Sequence, residues 1–284
     1  MKDRLIEVNR GNYNFNYVIY GDRQKPIILF LHGFMGNCHD FLVVIDRLSE
    51  FCCLVVDLPG HGRTEVKQDC NYLMQNTAQA LIKLLQKLKI EQCFLVGYSM
   101  GGRLALYLTV YYPQFFQGVI LESASPGLKT RSRRDRRIEH DYKLAKQLES
   151  LDYSVFLQRW YSNPLFASFV RHPDYDTAIA SKLNNNPFKL AKSLRFTGLG
   201  MQPSLWNHLP SIKIPLLLLV GSLDPKFLAI NRQIASLSPQ TNLCIVKDVG
   251  HNIHFERPTE LVRLIKSLAL HPLRDGEAKV ISRE

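Results

Sequence analysis

At 284 residues the chain is long enough for one large domain or a domain with an insertion, and about three quarters of its unfolded surface can be buried. Its content of 46% hydrophobic and 21% charged residues is that of a globular protein, and no segment reaches the roughly 20 apolar residues of a membrane-spanning helix. The formal charge of +11 admits nucleic acid, an anionic membrane surface or a small anion as partner, so composition alone does not choose among them.

In chain order, the first residues, MKDRLIEVNRGN, scatter their charges and lack a basic stretch followed by an apolar one, so no secretory signal is expected and the protein is placed in the cytoplasm. From Pro26 the run IILFLHGF ends in a turn signal, as a strand buried on both faces does. The pattern recurs in CCLVVDLPGHG, CFLVGYSMGG, GVILESASPG and PLLLLVGSLD, with amphipathic stretches between most of them. That alternation predicts an α/β fold with a mainly parallel sheet and helices on both faces. Ligands in such sheets gather outside the carboxyl ends of the strands.

Residues 127–206 break the rhythm. They are rich in Arg, Lys and aromatics at helical spacing and contain no run resembling a buried strand, so a helical lid inserted into a core of residues 1–126 and 207–272 is expected. Pro258 to Leu270 should form the last helix, and residues 273–284 read as a polar, disordered tail. The densest basic run, Lys129 to Arg137, lacks interleaved aromatics and matches no nucleic-acid module, so it reads as a solvated helix face and no nucleic-acid role is expected. The six cysteines match no metal spacing, and free, mostly buried thiols are expected.

Gly97-Tyr-Ser-Met-Gly101 follows an apolar run and opens a helical pattern, the strand–turn–helix context of a nucleophile elbow with Ser99 at its tip. A serine hydroxyl is inert at neutral pH unless a histidine takes its proton and a carboxylate fixes that histidine's tautomer. Asp224, ending LLLLVGSLD, and His251, just before the last helix, supply both in the order this fold uses. His254 is the rival histidine and reads as packed or capping. His32 and His61 sit in HG turns and read as structural, and Asp57, which precedes the serine, is the rival acid. The HGF turn at residues 32–34 closes the first central strand. There a backbone amide of the turn is expected to meet that of Met100 as an oxyanion hole, which stabilises a tetrahedral intermediate or an enolate equally well.

The motifs LHGFMGNCHDF, VDLPGHG, LVGYSMGGR, ESASPGL, RWYSNPLFAS, LNNNP, MQPSLWNHL, GSLDPKF and GHNIHFERP together resemble the 2-succinyl-6-hydroxy-2,4-cyclohexadiene-1-carboxylate synthases, the MenH family of the α/β-hydrolase superfamily, from about residue 28 to 268. The resemblance implies a lyase that eliminates pyruvate from 2-succinyl-5-enolpyruvyl-6-hydroxy-3-cyclohexene-1-carboxylate in menaquinone and phylloquinone biosynthesis. It implies no cofactor and no metal, and a small tricarboxylate as substrate; a monomer is expected. It also implies that the turn's oxyanion-hole amide is that of Phe34, and substrate contacts from Tyr98, Arg103, Arg137 and Trp160, with Arg134 and Arg136 as competitors of Arg137. Before LNNNP this chain has Lys182 where the family has arginine, which keeps the charge and loses the two-pronged grip. The alternative is a serine ester or carbon–carbon bond hydrolase using the same three residues.

Overall fold

The apolar runs become strands of one sheet in a computed structural model, which describes residues 3–9, 11–270 and 280–282. The strands are β1 (Arg4–Val8), β2 (Tyr13–Tyr20), β3 (Ile27–Leu31), β4 (Cys52–Val56), β5 (Glu65–Val66), β6 (Cys93–Tyr98), β7 (Phe116–Glu122), β8 (Leu216–Gly221), β9 (Thr241–Val246) and β10 (Val280–Ser282). Their order is β1-β2-β4-β3-β6-β7-β8-β9-β10, with β5 on β2. β2 runs antiparallel to β1 and β4, and every pair from β4 to β10 is parallel.

Because side chains alternate along a strand, β3 sends Leu29 and Leu31 into one apolar layer and Ile28 and Phe30 into the other. The first layer is covered by α2 (Met74–Lys87), α3 (Met100–Tyr111) and α9 (Pro225–Leu237), the second by α1 (Leu42–Ile45) and α11 (Pro258–Leu270). A parallel strand buried on both faces needs apolar residues at consecutive positions, which is why β3, β4 and β8 read as unbroken runs.

Between β7 and β8 lie α4 (Arg131–Ser150), α5 (Tyr153–Tyr161), α6 (Ala167–Val170), α7 (Tyr175–Lys182) and α8 (Pro187–Thr197). They share a third apolar cluster, in which Phe156, Phe166, Phe169 and Leu190 pack with Met35 of the turn after β3. Asn185 links this segment to the sheet edge: its amide donates to the Met35 carbonyl at 2.9 Å and its oxygen accepts from the Gly62 amide at 3.3 Å. All six cysteines are free, and five are buried.

One expectation is corrected at the end of the chain. The tail over residues 273–284 was read as disordered, yet Val280–Ser282 pairs in parallel with Leu243–Ile245 of β9. Without it, β9 would present a row of unsatisfied backbone groups, and that row is a template for another strand. The remainder of the tail lies outside the described residues.

Candidate active site

The serine at the centre of the site is held in a conformation few residues adopt. Ser99 links β6 to α3 with φ 49° and ψ −105°, and the backbone around it is so tight that side chains are excluded on either side. A Cβ on Gly97 would come within 2.6 Å of the Gly101 carbonyl oxygen, and one on Gly101 would strike the carbonyl oxygens of Leu31 and His32. The Ser99 amide is fixed by donating to the Glu122 carbonyl of β7 at 2.8 Å. Strain of this kind persists only where the surroundings over-determine it, and here it lifts the hydroxyl clear of the sheet.

Ser99 Oγ lies 3.0 Å from His251 Nε2, and His251 Nδ1 lies 2.7 Å from Asp224 Oδ2. An ionised carboxylate only accepts, so Nδ1–H donates to Asp224 and Nε2 is left to accept the serine proton. Asp224 Oδ1 also accepts from the Phe227 amide at 3.1 Å, capping α9. His251 and Asp224 are each 2% exposed, which shields their interaction from water. The loop carrying His251 is tethered as well, since Ser123 Oγ donates to its carbonyl at 3.0 Å.

The rival groups have structural partners. His254 in α10 (Ile253–Glu256) pairs with buried Glu122, its Nδ1 2.8 Å from Oε1. His32 donates from Nδ1 to the Gly33 carbonyl and accepts at Nε2 from the Leu58 amide. His61 donates from Nδ1 to the Pro59 carbonyl at 3.1 Å. Burial holds the pKa of both histidines below the ordinary 6.5, well below for His61. Asp57 is saturated by Asn16, the Cys38 amide and the Arg63 amide.

Ser99 and His251 open into a cavity of about 790 Å³ shared by the strand ends and α4, α5, α8 and α9. Phe34 and Met100 both line it beside Ser99, and neither backbone amide has an acceptor among the described residues. Arg103, Arg137 and Trp160 line it too. Arg103 donates to the Thr197 carbonyl at 3.0 Å and to Gln202 Oε1 at 3.1 Å, while Gln202, itself 1% exposed, donates to the Ser125 carbonyl. Arg137 is steadied by Asp141, Nε to Oδ1 at 2.7 Å. Desolvation, with the charge of nearby Arg137, lowers the Arg103 pKa to about 10.

Two expected substrate contacts are placed elsewhere. Tyr98 ends β6 pointing beneath the site: its hydroxyl donates to Asn252 Oδ1 at 2.7 Å and its ring packs on His251 and His254. Lys182 is 7% exposed, with Nζ 3.4 Å from Asp40 Oδ2, so its charge neutralises Asp40 and does not face the cavity. Cations that the motifs did not single out do face it, namely Arg159 of α5 and Lys226 of α9. Their sequence signal is a place inside two of the quoted motifs, Arg159 in RWYSNPLFAS and Lys226 in GSLDPKF, beside Trp160 and the Asp224-Pro225 cap.

Residues 26–258 match the alpha/beta hydrolase fold family. The chain is 34% identical over 253 residues to the 2-succinyl-6-hydroxy-2,4-cyclohexadiene-1-carboxylate synthase of Serratia proteamaculans (strain 568), covering 89% of this chain and 96% of that one. It is 36% identical over 241 residues to a Bacillus subtilis (strain 168) protein provisionally given the same name, covering 84% and 88%. It is also similar to the solved structure of MenH from S. aureus, with a TM-score of 0.83 and 33% identity over 88% of this chain and 96% of that one.

Proposed function

The chain belongs to the 2-succinyl-6-hydroxy-2,4-cyclohexadiene-1-carboxylate synthase family of alpha/beta-hydrolase-fold proteins, and from that premise we propose how its own residues eliminate pyruvate in menaquinone and phylloquinone biosynthesis. The reading is carried by one observation: the Ser99–His251–Asp224 chain opens into a cavity lined by the cations Arg103, Arg137, Arg159 and Lys226. A general esterase needs the first half of that arrangement and has no use for the second. A substrate with three carboxylates needs both.

The electron bookkeeping follows from the substrate's structure. Ser99 Oγ removes the ring proton next to the succinyl ketone while its own proton passes to His251 Nε2. Asp224 stabilises the resulting imidazolium. The freed pair forms a double bond to the former alkene carbon, the alkene shifts one position along the ring, and the carbon–oxygen bond to the enolpyruvyl group breaks. His251 returns a proton to the departing enol, which becomes pyruvate. Negative charge collects on the ketone oxygen during the shift, and the Phe34 and Met100 amides are the donors aimed at it. One such donor is worth roughly 3 kcal/mol.

Arg103 and Arg137 each hold a carboxylate, and Arg159 or Lys226 takes the part first assigned to Lys182. Trp160, packed on Phe34 at 5.1 Å between ring centroids, covers the ring face. The helices α4–α8 act as a lid whose closure excludes water and strengthens these charge contacts. The free thiols support a reducing, cytoplasmic setting, and among the described residues no helix is long and apolar enough to cross a membrane.

Intact-mass measurement during turnover tests the proton-abstraction route. The protein is expected to keep its unmodified mass throughout. An acyl adduct accumulating on Ser99 would overturn this route in favour of hydrolysis.

A further inference from the structure

Beside the catalytic cavity lies a second one of about 630 Å³, between α4, the strand-end loop before it, and α9. We propose that it is a carboxylate-binding vestibule, in which a ring-bearing polycarboxylate is captured before it moves on to Ser99. The proposal rests on the synthase reading for the identity of its natural ligand, and on the geometry below for its existence.

The basic run that reads as a solvated helix face in the sequence is one-sided in the structure. Arg136, Arg137 and His140 lie three, four and seven residues after Arg133, so all four share one face of α4, and all four line this cavity. Lys129 and Lys226 face them, and no aspartate or glutamate lines the cavity. Among the described residues, Arg137 is the one of these cations held by a carboxylate, that of Asp141. Lys129 instead lies over the Trp206 ring at 4.1 Å and donates to Gln233, and Arg136 reaches only the Ser132 carbonyl. Arg131, on a different face of α4, has its own acidic neighbour in Asp135.

Like charges gathered around one space are costly: desolvation and the charge of Arg137 lower the Lys226 pKa, and the smaller opposing pull of Asp224 does not cancel them. An anion in the cavity relieves that repulsion. The floor is apolar, built from Leu128, Trp206 and Phe227, which suits a ring and not a free inorganic ion. The volume falls within the range of small-molecule sites.

The vestibule leads into the catalytic cavity. Ser125, Arg137, His140, Lys226 and Phe227 line both. A carboxylate bound by Arg133 and Arg136 can therefore be handed to Arg137, one position along the helix, without crossing bulk solvent. A cleft with charge of one sign and low-dielectric walls focuses its field and raises association rates, most strongly at low ionic strength.

The test uses the full chain with Lys129→Ala, Arg133→Ala and Arg136→Ala combined, leaving Arg137 and Lys226 in place. Pyruvate release is expected to show an unchanged kcat, a kcat/KM about tenfold lower at low salt and a much flatter dependence on ionic strength. The variant Arg133→Lys/Arg136→Lys keeps the charge and should restore the wild-type salt slope. Unchanged kcat/KM and salt dependence in the triple variant would overturn the proposal. A second readout needs no turnover: calorimetric titration of phthalate into Ser99→Ala protein should resolve two sites, and the added triple substitution should remove one. A single site untouched by the triple substitution also overturns the vestibule. Two phthalate sites, together with no pyruvate release from the wild-type protein, would leave the vestibule standing and remove the synthase reading.

Discussion

Ser99 has a left-handed backbone, a histidine 3.0 Å from its oxygen and a cavity shared with Phe34 and Met100, and these together define what each substitution should do. Ser99→Ala and His251→Ala should each lower kcat by about 10³-fold or more with the fold intact, because neither alanine relays a proton. Arg103→Ala should lower kcat/KM by roughly 10- to 100-fold, the range for a lost hydrogen bond to a charged group, measured by steady-state pyruvate release. Lys182→Met should act differently: it strands Asp40 and should cost about 3 kcal/mol of stability, read by urea unfolding, while KM stays unchanged. A large rise in KM would return Lys182 to the substrate site. At this scale the hydrogen-bonded set Ser99, His251 and Asp224 was legible because the order of such a set along the chain is fixed by the fold. Tyr98 and Lys182 were misplaced because likeness of position says nothing about which way a side chain turns. Arg159 and Lys226 stood inside quoted motifs without being picked out, since the cavity that collects them is assembled from elements distant in sequence.

The elements show the same division. β3, β4, β6, β7 and β8 were readable as apolar runs because they lie inside the sheet with both faces covered. The strands β2 and β9 were passed over, as YNFNYVIY and TNLCIV interleave polar residues that blur the pattern. Asn16 of β2 is buried to hold Asp57, not to meet solvent. The elbow is the element with least tolerance. Gly101→Ala would drive a methyl group into the Leu31 and His32 carbonyls, and it should leave little soluble, folded protein, a loss of more than about 3 kcal/mol. Asn185→Ala cuts the tie between the helical segment and the turns after β3 and β4. It should raise amide hydrogen exchange across α7 and α8 while leaving β6 protected.

For the whole molecule, part of the +11 charge stands around two adjoining cavities, where Arg103, Lys129, Arg133, Arg136, Arg137, Arg159 and Lys226 are lining residues. Composition admitted several classes of anionic partner, and only the fold shows which cations line a cavity. Stability should depend on pH through the buried histidines. His32 and His61 have folded-state pKa values below the ordinary 6.5, so below that pH the unfolded chain binds more protons and stability falls as pH falls through 6.5. The urea midpoint should be lower at pH 5.5 than at pH 7.5, each value an approximate working point on either side of the ordinary histidine pKa. His61→Gln should narrow that gap, and an equal gap in the variant would assign the effect to other groups. The most direct measurement of the central claim is the release of pyruvate from the purified protein supplied with 2-succinyl-5-enolpyruvyl-6-hydroxy-3-cyclohexene-1-carboxylate, with Ser99→Ala run alongside. The account predicts one pyruvate for each substrate consumed by the wild type and none above background from the variant. Rapid cleavage of simple esters with no pyruvate from the wild type would contradict it.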